Sequence, residues 1–179
     1  MELGYNIVLC GFMGCGKSTV GRKLARLTGL CFVDMDDYIE QQAGMRVSQI
    51  FDQFGEAHFR DLEYEAAKEL AGQSGLVIAT GGGVLTFRRN EEALRRTGKI
   101  VLLDPPFSII RRRLQGDTTR PLLQKPNREA VMRQLYDQRM PIYRAAADLT
   151  VDTVGTPAAV CREVLRLLKI SPQDSQNEG

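Results

Sequence analysis

Gly11-Phe12-Met13-Gly14-Cys15-Gly16-Lys17-Ser18 fits the pattern G-x-x-x-x-G-K-[ST]. It follows the apolar run Tyr5–Cys10 and opens a helix-like stretch at Ser18–Leu27. Strand, glycine-rich loop and helix form the context this pattern requires. Glycines let the backbone curl so that successive N–H groups point at phosphate oxygens, and the helix N-terminus adds its dipole. Lys17 would reach the β- and γ-phosphates, and the Ser18 hydroxyl would ligate Mg²⁺. The pattern predicts binding of a nucleoside triphosphate.

Asp34-Met35-Asp36-Asp37 follows a second apolar run, Cys31–Asp34. Phosphoryl transfer needs one carboxylate to hold Mg²⁺ and another to orient the attacking hydroxyl. Period-two spacing places Asp34 and Asp36 on one side of an extended segment. Asp34 is assigned to the metal, Asp36 to the acceptor, and Asp37 to capping the helix that follows. Thr80-Gly81-Gly82-Gly83 follows a third strand, where consecutive glycines allow a ligand very close to the backbone. Asp52-Gln53-Phe54-Gly55 matches the D-x-x-G of GTPase switches but lies in a helical stretch, and N-K-x-D is absent; it reads as a helix end. His58, the only histidine, reads as a surface helix residue.

Among 24 basic residues, eighteen are Arg, the side chain suited to bidentate recognition of carboxylate and phosphate. Arg60, Arg120 and Arg139 stand in G-E-A-H-F-R-D-L-E, T-R-P-L-L and R-M-P-I-Y. Physical reasoning alone does not rank these three above the other fifteen. The run Arg111–Arg113 ends a helix and favours its dipole.

These residues must be held by a scaffold. Asn6–Cys10, Cys31–Asp34, Leu76–Thr80, Ile100–Leu103 and Leu149–Val151 read as five buried, mostly parallel strands. Between them come helices at Lys17–Thr28, in three pieces across Asp37–Ala71, and at Asn90–Arg96, Pro106–Leu114 and Asn127–Ala147. Thr156-Pro157 caps a last helix, Ala158–Leu168. The alternation predicts a doubly wound α/β sandwich with ligands at the strand carboxyl ends. Met35–Leu70 is too long for one crossover helix and could hold an acceptor. Gln115–Lys125 reads as an exposed loop able to close over phosphates and exclude water. Residues 1–170 are expected to form a single domain, with 171–179 a disordered tail.

A hydrophobic fraction of 43% and a charged fraction of 26% suit a globular chain, and a net charge of +2 is too mild to imply nucleic acid. Cys10, Cys15, Cys31 and Cys161 lack C-x-x-C or zinc spacing and are expected to be free thiols. Cys15 would be oxidation-sensitive if the helix N-terminus lowered its pKa. Glu2 directly after Met1 gives no signal-peptide start, nothing approaches a membrane span, and the expected location is cytoplasmic.

Taken in order, the phosphate loop, D-x-D, G-E-x-x-F-R-x-x-E, the triple glycine, R-P-L-L and R-x-P-x-Y resemble the shikimate kinase family from Ile7 to about Leu168. The resemblance implies a three-layer α/β sandwich of the nucleoside monophosphate kinase type with a five-stranded parallel sheet. It implies a substrate-binding insertion over 35–63, a lid over 114–126, and transfer of the ATP γ-phosphate to the 3-hydroxyl of shikimate, in chorismate and aromatic amino acid synthesis. Gly14, Cys15, Gly16, Lys17, Ser18 and Thr19 would bind phosphate, with Mg²⁺ on Ser18 and Asp34. Asp36 would hold the 3-hydroxyl, while Arg60, Arg139 and the backbone of Gly81, Gly82 and Gly83 bind the carboxylate. Arg120 would stabilise the transferring phosphoryl, and Arg113 with the loop to Pro157 would clamp adenine. The family is usually monomeric.

Overall fold

In a computed structural model, residues 3–116 and 126–171 are described. Arg120, most of the expected lid and the tail beyond residue 171 lie outside the described residues. Five parallel strands, β1 (Asn6–Cys10), β2 (Cys31–Asp34), β3 (Leu76–Ala79), β4 (Gly98–Leu103) and β5 (Leu149–Val151), stand in the order β2-β3-β1-β4-β5. The helices are α1 (Lys17–Thr28), α2 (Met35–Ala43), α3 (Val47–Ala71), α4 (Arg88–Arg95), α5 (Phe107–Leu114), α6 (Arg128–Ala146) and α7 (Pro157–Leu168), with a 3₁₀ turn at Val84–Thr86.

Side chains alternate across a strand, and β1 shows the result. Val8 and Cys10 pack on one face with Met35, Phe59, Leu94, Met140 and Tyr143. Ile7 and Leu9 pack on the other with Leu24, Val160 and Val164. All five residues of β1 are buried, as the near-continuous apolar strands of a sheet covered on both sides should be. The three layers are therefore α/β/α, as predicted.

Local chemistry sets the element ends. Gly16 and Gly29 bracket α1 in the left-handed region, at φ 101° and 72°. Within α1, a Cβ on Gly21 would stand 2.9 Å from Cδ2 of Phe32, so this glycine sets how closely α1 lies on β2. Thr156 caps α7 by accepting from the Ala159 N–H at 3.2 Å, with Pro157 first in the helix, as predicted. Gly55, at φ 82° and ψ 173°, breaks α3 internally. The interval after β2 thus holds three helical pieces, and Asp52–Gly55 closes the middle one. His58 is exposed and lies against Phe54.

One local expectation fails. Helix α2 starts at Met35, and its cap is Asp34 instead of Asp37. The Asp34 carboxylate accepts from the N–H groups of Asp36 at 3.0 Å and Asp37 at 3.4 Å. Asp36 therefore stands in a helical first turn, and the period-two argument for its direction does not apply. The cap is what turns the chain at the point where the strand ends.

Candidate active site

The carboxyl ends of β1, β2 and β3 open onto a cleft of about 800 Å³. It is lined by Gly14, Cys15, Gly16, Lys17, Ser18, Thr19, Asp34, Asp36, Gly81, Gly82, Arg113 and Pro157. Twelve residues singled out in the sequence, drawn from five separate stretches of chain, thus share one cavity. Arg60, Arg139 and Gly83 join it through the glycine loop described below.

The donor side is the loop after β1. Gly11, Gly14 and Gly16 all have positive φ, at 147°, 74° and 101°. At Gly11 the constraint is also spatial, since a Cβ would lie 2.6 Å from the Leu103 carbonyl oxygen. Lys17 folds back over the loop, its Nζ donating to the carbonyls of Gly11 at 2.7 Å and Phe12 at 3.3 Å. Ser18 Oγ donates to Asp34 Oδ2 at 3.0 Å. This pair supplies two hard oxygen donors beside the phosphate loop. Mg²⁺ suits such a site, because it takes one or two protein oxygens and completes its shell with phosphate and water. Among the described residues there is no cluster of three His, Cys, Asp or Glu side chains.

Two expectations about this side change. Cys15 has no exposed surface and packs among Val20, Leu24 and Val160. Its thiol is shut off from solvent, so the expectation of an oxidation-sensitive thiol is not supported. All four cysteines are free. Arg113 does more than complement the α5 dipole. It donates to the carbonyls of Gly14 at 3.3 Å, Cys15 at 3.2 Å and Thr153 at 2.8 Å. Thr153 Oγ1 also donates to the Cys15 carbonyl, at 3.3 Å. Arg113 and Thr153 thereby tie the phosphate loop to the β5–α7 connection that leads to Pro157.

The other side of the cleft, the expected acceptor side, is organised by the triple glycine after β3, and each glycine faces a different charged side chain. A Cβ on Gly81 would lie 2.7 Å from Asp36 Oδ1. One on Gly82 would lie 3.0 Å from Arg139 Nη1, and one on Gly83 2.9 Å from Arg60 Cζ. None of the three has a positive φ. They are glycines for space, since any side chain here would displace a charged group. Gly83→Ala is expected to push the Arg60 guanidinium aside and raise KM for the acceptor about tenfold, with KM for ATP unchanged. Steady-state titration of each substrate checks this, and an unchanged acceptor KM would contradict it.

Asp36 is mostly buried, and its pKa is pushed up to about 6, chiefly by desolvation and next by the neighbouring Asp34 carboxylate; Lys17 opposes both. Arg60 Nη1 donates to Glu63 Oε2 at 2.7 Å and Nη2 to Glu56 Oε1 at 3.0 Å. Its guanidinium also lies 5.4 Å from the centre of the Phe87 ring. Glu63 is 1% exposed; burial pushes its pKa up while Arg60 pulls it down. Glu63 is a site residue that sequence reasoning passed over, although it stands in the quoted G-E-x-x-F-R-x-x-E segment. Its spacing of three from Arg60 on a helix was the available signal.

A parallel five-stranded sheet in this order, with a G-K-S loop after β1 and an aspartate pair after β2, defines a P-loop kinase. The family description "Shikimate kinase" matches residues 13–169. A shikimate kinase of Thermodesulfovibrio yellowstonii is 44% identical over 162 residues, 90% of this chain and 93% of that one. One from Geobacter sulfurreducens is 47% identical over 152 residues, 85% of this chain and 83% of that one. The chain belongs to the shikimate kinase family. Among solved structures, shikimate kinase from Acinetobacter baumannii in complex with shikimate superposes with a TM-score of 0.87 at 40% identity, covering 94% of both chains. A gluconokinase from Sinorhizobium meliloti has a TM-score of 0.57 at 18% identity, a likeness of fold alone.

Proposed function

We propose that this protein transfers the γ-phosphate of ATP to the 3-hydroxyl of shikimate, giving shikimate 3-phosphate and ADP. The observation that carries the reading is the convergence of Asp36, Arg139 and Arg60 on Gly81, Gly82 and Gly83, beside a complete phosphate loop. The shikimate-bound Acinetobacter relative supports the choice of acceptor.

Shikimate is a small carboxylate with three hydroxyls and little apolar surface, so its affinity must come from charge-assisted hydrogen bonds. Arg60 and Arg139 bind the carboxylate, with backbone N–H groups of the glycine loop. Asp36 orients the 3-hydroxyl and accepts its proton as the oxygen–phosphorus bond forms and the bond to ADP breaks. Lys17 leaves the Gly11 and Phe12 carbonyls to contact the phosphates. Ser18 and Asp34 would hold Mg²⁺, whose charge offsets that of the β- and γ-phosphate oxygens when it is bound. Pro157 and Arg113 border the adenine end. Arg120, in a lid over 114–126, is the proposed partner of the transferring group, and 35–63 is the proposed acceptor-binding insertion.

Both halves of the site come from one chain, which supports a monomeric catalyst. Among the described residues no helix is long and apolar enough to cross a membrane. The proposed location is the cytoplasm, with small molecules as the partners. ADP release with ATP and Mg²⁺ is expected with shikimate and absent with gluconate or nucleoside monophosphates. Turnover of either alternative at a comparable rate would displace the proposal.

A further inference from the structure

Tyr143 lies one helical turn beyond Arg139 on α6, so the two side chains share a face. Its ring is 2% exposed, packed in the core between the helices and the sheet. Its hydroxyl donates to the carbonyl of Gly82, the middle residue of the glycine loop. Gly82 is also the glycine whose missing Cβ leaves room for Arg139, 3.0 Å from Nη1. Two consecutive turns of α6 therefore bring a side chain up to the same residue, Tyr143 through a hydrogen bond and Arg139 through close approach. Burial pushes the Tyr143 phenol up to about 12, and the neighbouring Arg139 charge opposes that rise. The hydroxyl is thus a donor throughout the working pH range.

A glycine loop has no side chains of its own with which to fix its backbone. If Gly82 were free to rotate, its neighbours' N–H groups would lose their aim, and Arg139 would lose the wall beside it. We propose that Tyr143 is a positioning residue for acceptor binding: by holding the Gly82 carbonyl it locks the glycine loop against Arg139 and fixes the geometry in which the acceptor carboxylate is received. The inference rests on the assignment of Arg139 and the glycine loop to that carboxylate.

Tyr143→Phe removes one oxygen and keeps the ring. It is expected to raise KM for shikimate about tenfold, with kcat within threefold and KM for ATP within twofold of the parent. An acceptor analogue whose carboxylate is replaced by hydroxymethyl should show no such change between the two proteins, because it does not use Arg139. A purely structural role would instead weaken both acceptors and ATP together, and that result overturns the proposal. So does an unchanged shikimate KM.

A cycle with Arg139→Ala separates this inference from the reading beneath it. Arg139→Ala alone should weaken shikimate, and adding Tyr143→Phe should then cost less than threefold more. Full additivity would overturn the positioning role while leaving the carboxylate assignment standing. If Arg139→Ala alone leaves shikimate KM unchanged, the carboxylate assignment falls and the inference falls with it. Should Tyr143→Phe fail to fold, 3-fluorotyrosine at this position, which keeps the donor, is to preserve shikimate KM within twofold; a large rise would overturn the proposal.

Discussion

Asp36→Asn is expected to lower kcat at least about a hundredfold while leaving ATP affinity nearly intact, because it removes the group proposed to orient the hydroxyl and take its proton. The same change is expected to stabilise the ligand-free protein at neutral pH. The sign follows from the raised pKa. With an ordinary value of 3.8 and a folded value of about 6, Asp36 binds its proton more tightly in the folded state. Its contribution to stability is full below pH about 4 and is lost as pH rises through about 6. Ionised Asp36 then costs the fold about 1–3 kcal/mol, a cost the amide does not carry. Thermal melts in EDTA at several pH values check this: the gap between variant and parent should widen from pH 4 to pH 7. Near-normal turnover would remove Asp36 from the chemistry, and a gap independent of pH would remove the electrostatic account.

Arg60→Ala is the second large effect. Losing one charge-assisted contact to a carboxylate in a desolvated site should weaken shikimate binding by about 2–4 kcal/mol. Arg60 also neutralises Glu63, a nearly fully buried carboxylate that it contacts at 2.7 Å. Removing the arginine leaves that charge unpaired, so the single variant should also lose stability. The double variant Arg60→Ala with Glu63→Gln separates the two roles: stability should return while shikimate affinity stays low. Recovery of affinity in the double variant would show that Arg60 acts only through Glu63.

The donor half was the more legible part of the sequence. Eight contiguous residues carry the phosphate loop, and a contiguous motif is visible because local backbone conformation, set by Gly14 and Gly16, is its mechanism. The central strands β1, β3 and β4 were legible for a similar reason, since they are buried on both faces and read as short apolar runs. The edge strands β2 and β5 were short apolar runs too, although they are only partly buried. The acceptor half is assembled from α2, α3, the loop after β3 and α6, and no local rule brings these together. Residue type alone could not separate Arg60 and Arg139 from sixteen other arginines; the family's motif order did so. Asp36 was identified on a faulty premise, since it is helical and the cap at Asp34 turns it toward the site. From the residues alone Arg113 was a dipole complement, and only the family resemblance placed it at the adenine end, because its carbonyl partners, Gly14, Cys15 and Thr153, are backbone groups that residue types do not reveal. Glu63 and Tyr143 act on other site residues, and such roles appear only once those residues are placed.

In the strand order β2-β3-β1, the strand leading to Asp34 and the one leading to the phosphate loop flank the strand leading to the triple glycine. Neighbouring strands in any sheet stand about 4.8 Å apart, a spacing fixed by backbone hydrogen bonds. Asp34, the triple glycine and the phosphate loop, the proposed metal ligand, acceptor cradle and phosphate cradle, thus lie at the ends of neighbouring strands spaced by peptide geometry. On that proposal, the separation between phosphate donor and acceptor is set largely by the backbone bonds that hold the sheet together, so side chains can change at the acceptor end without altering it.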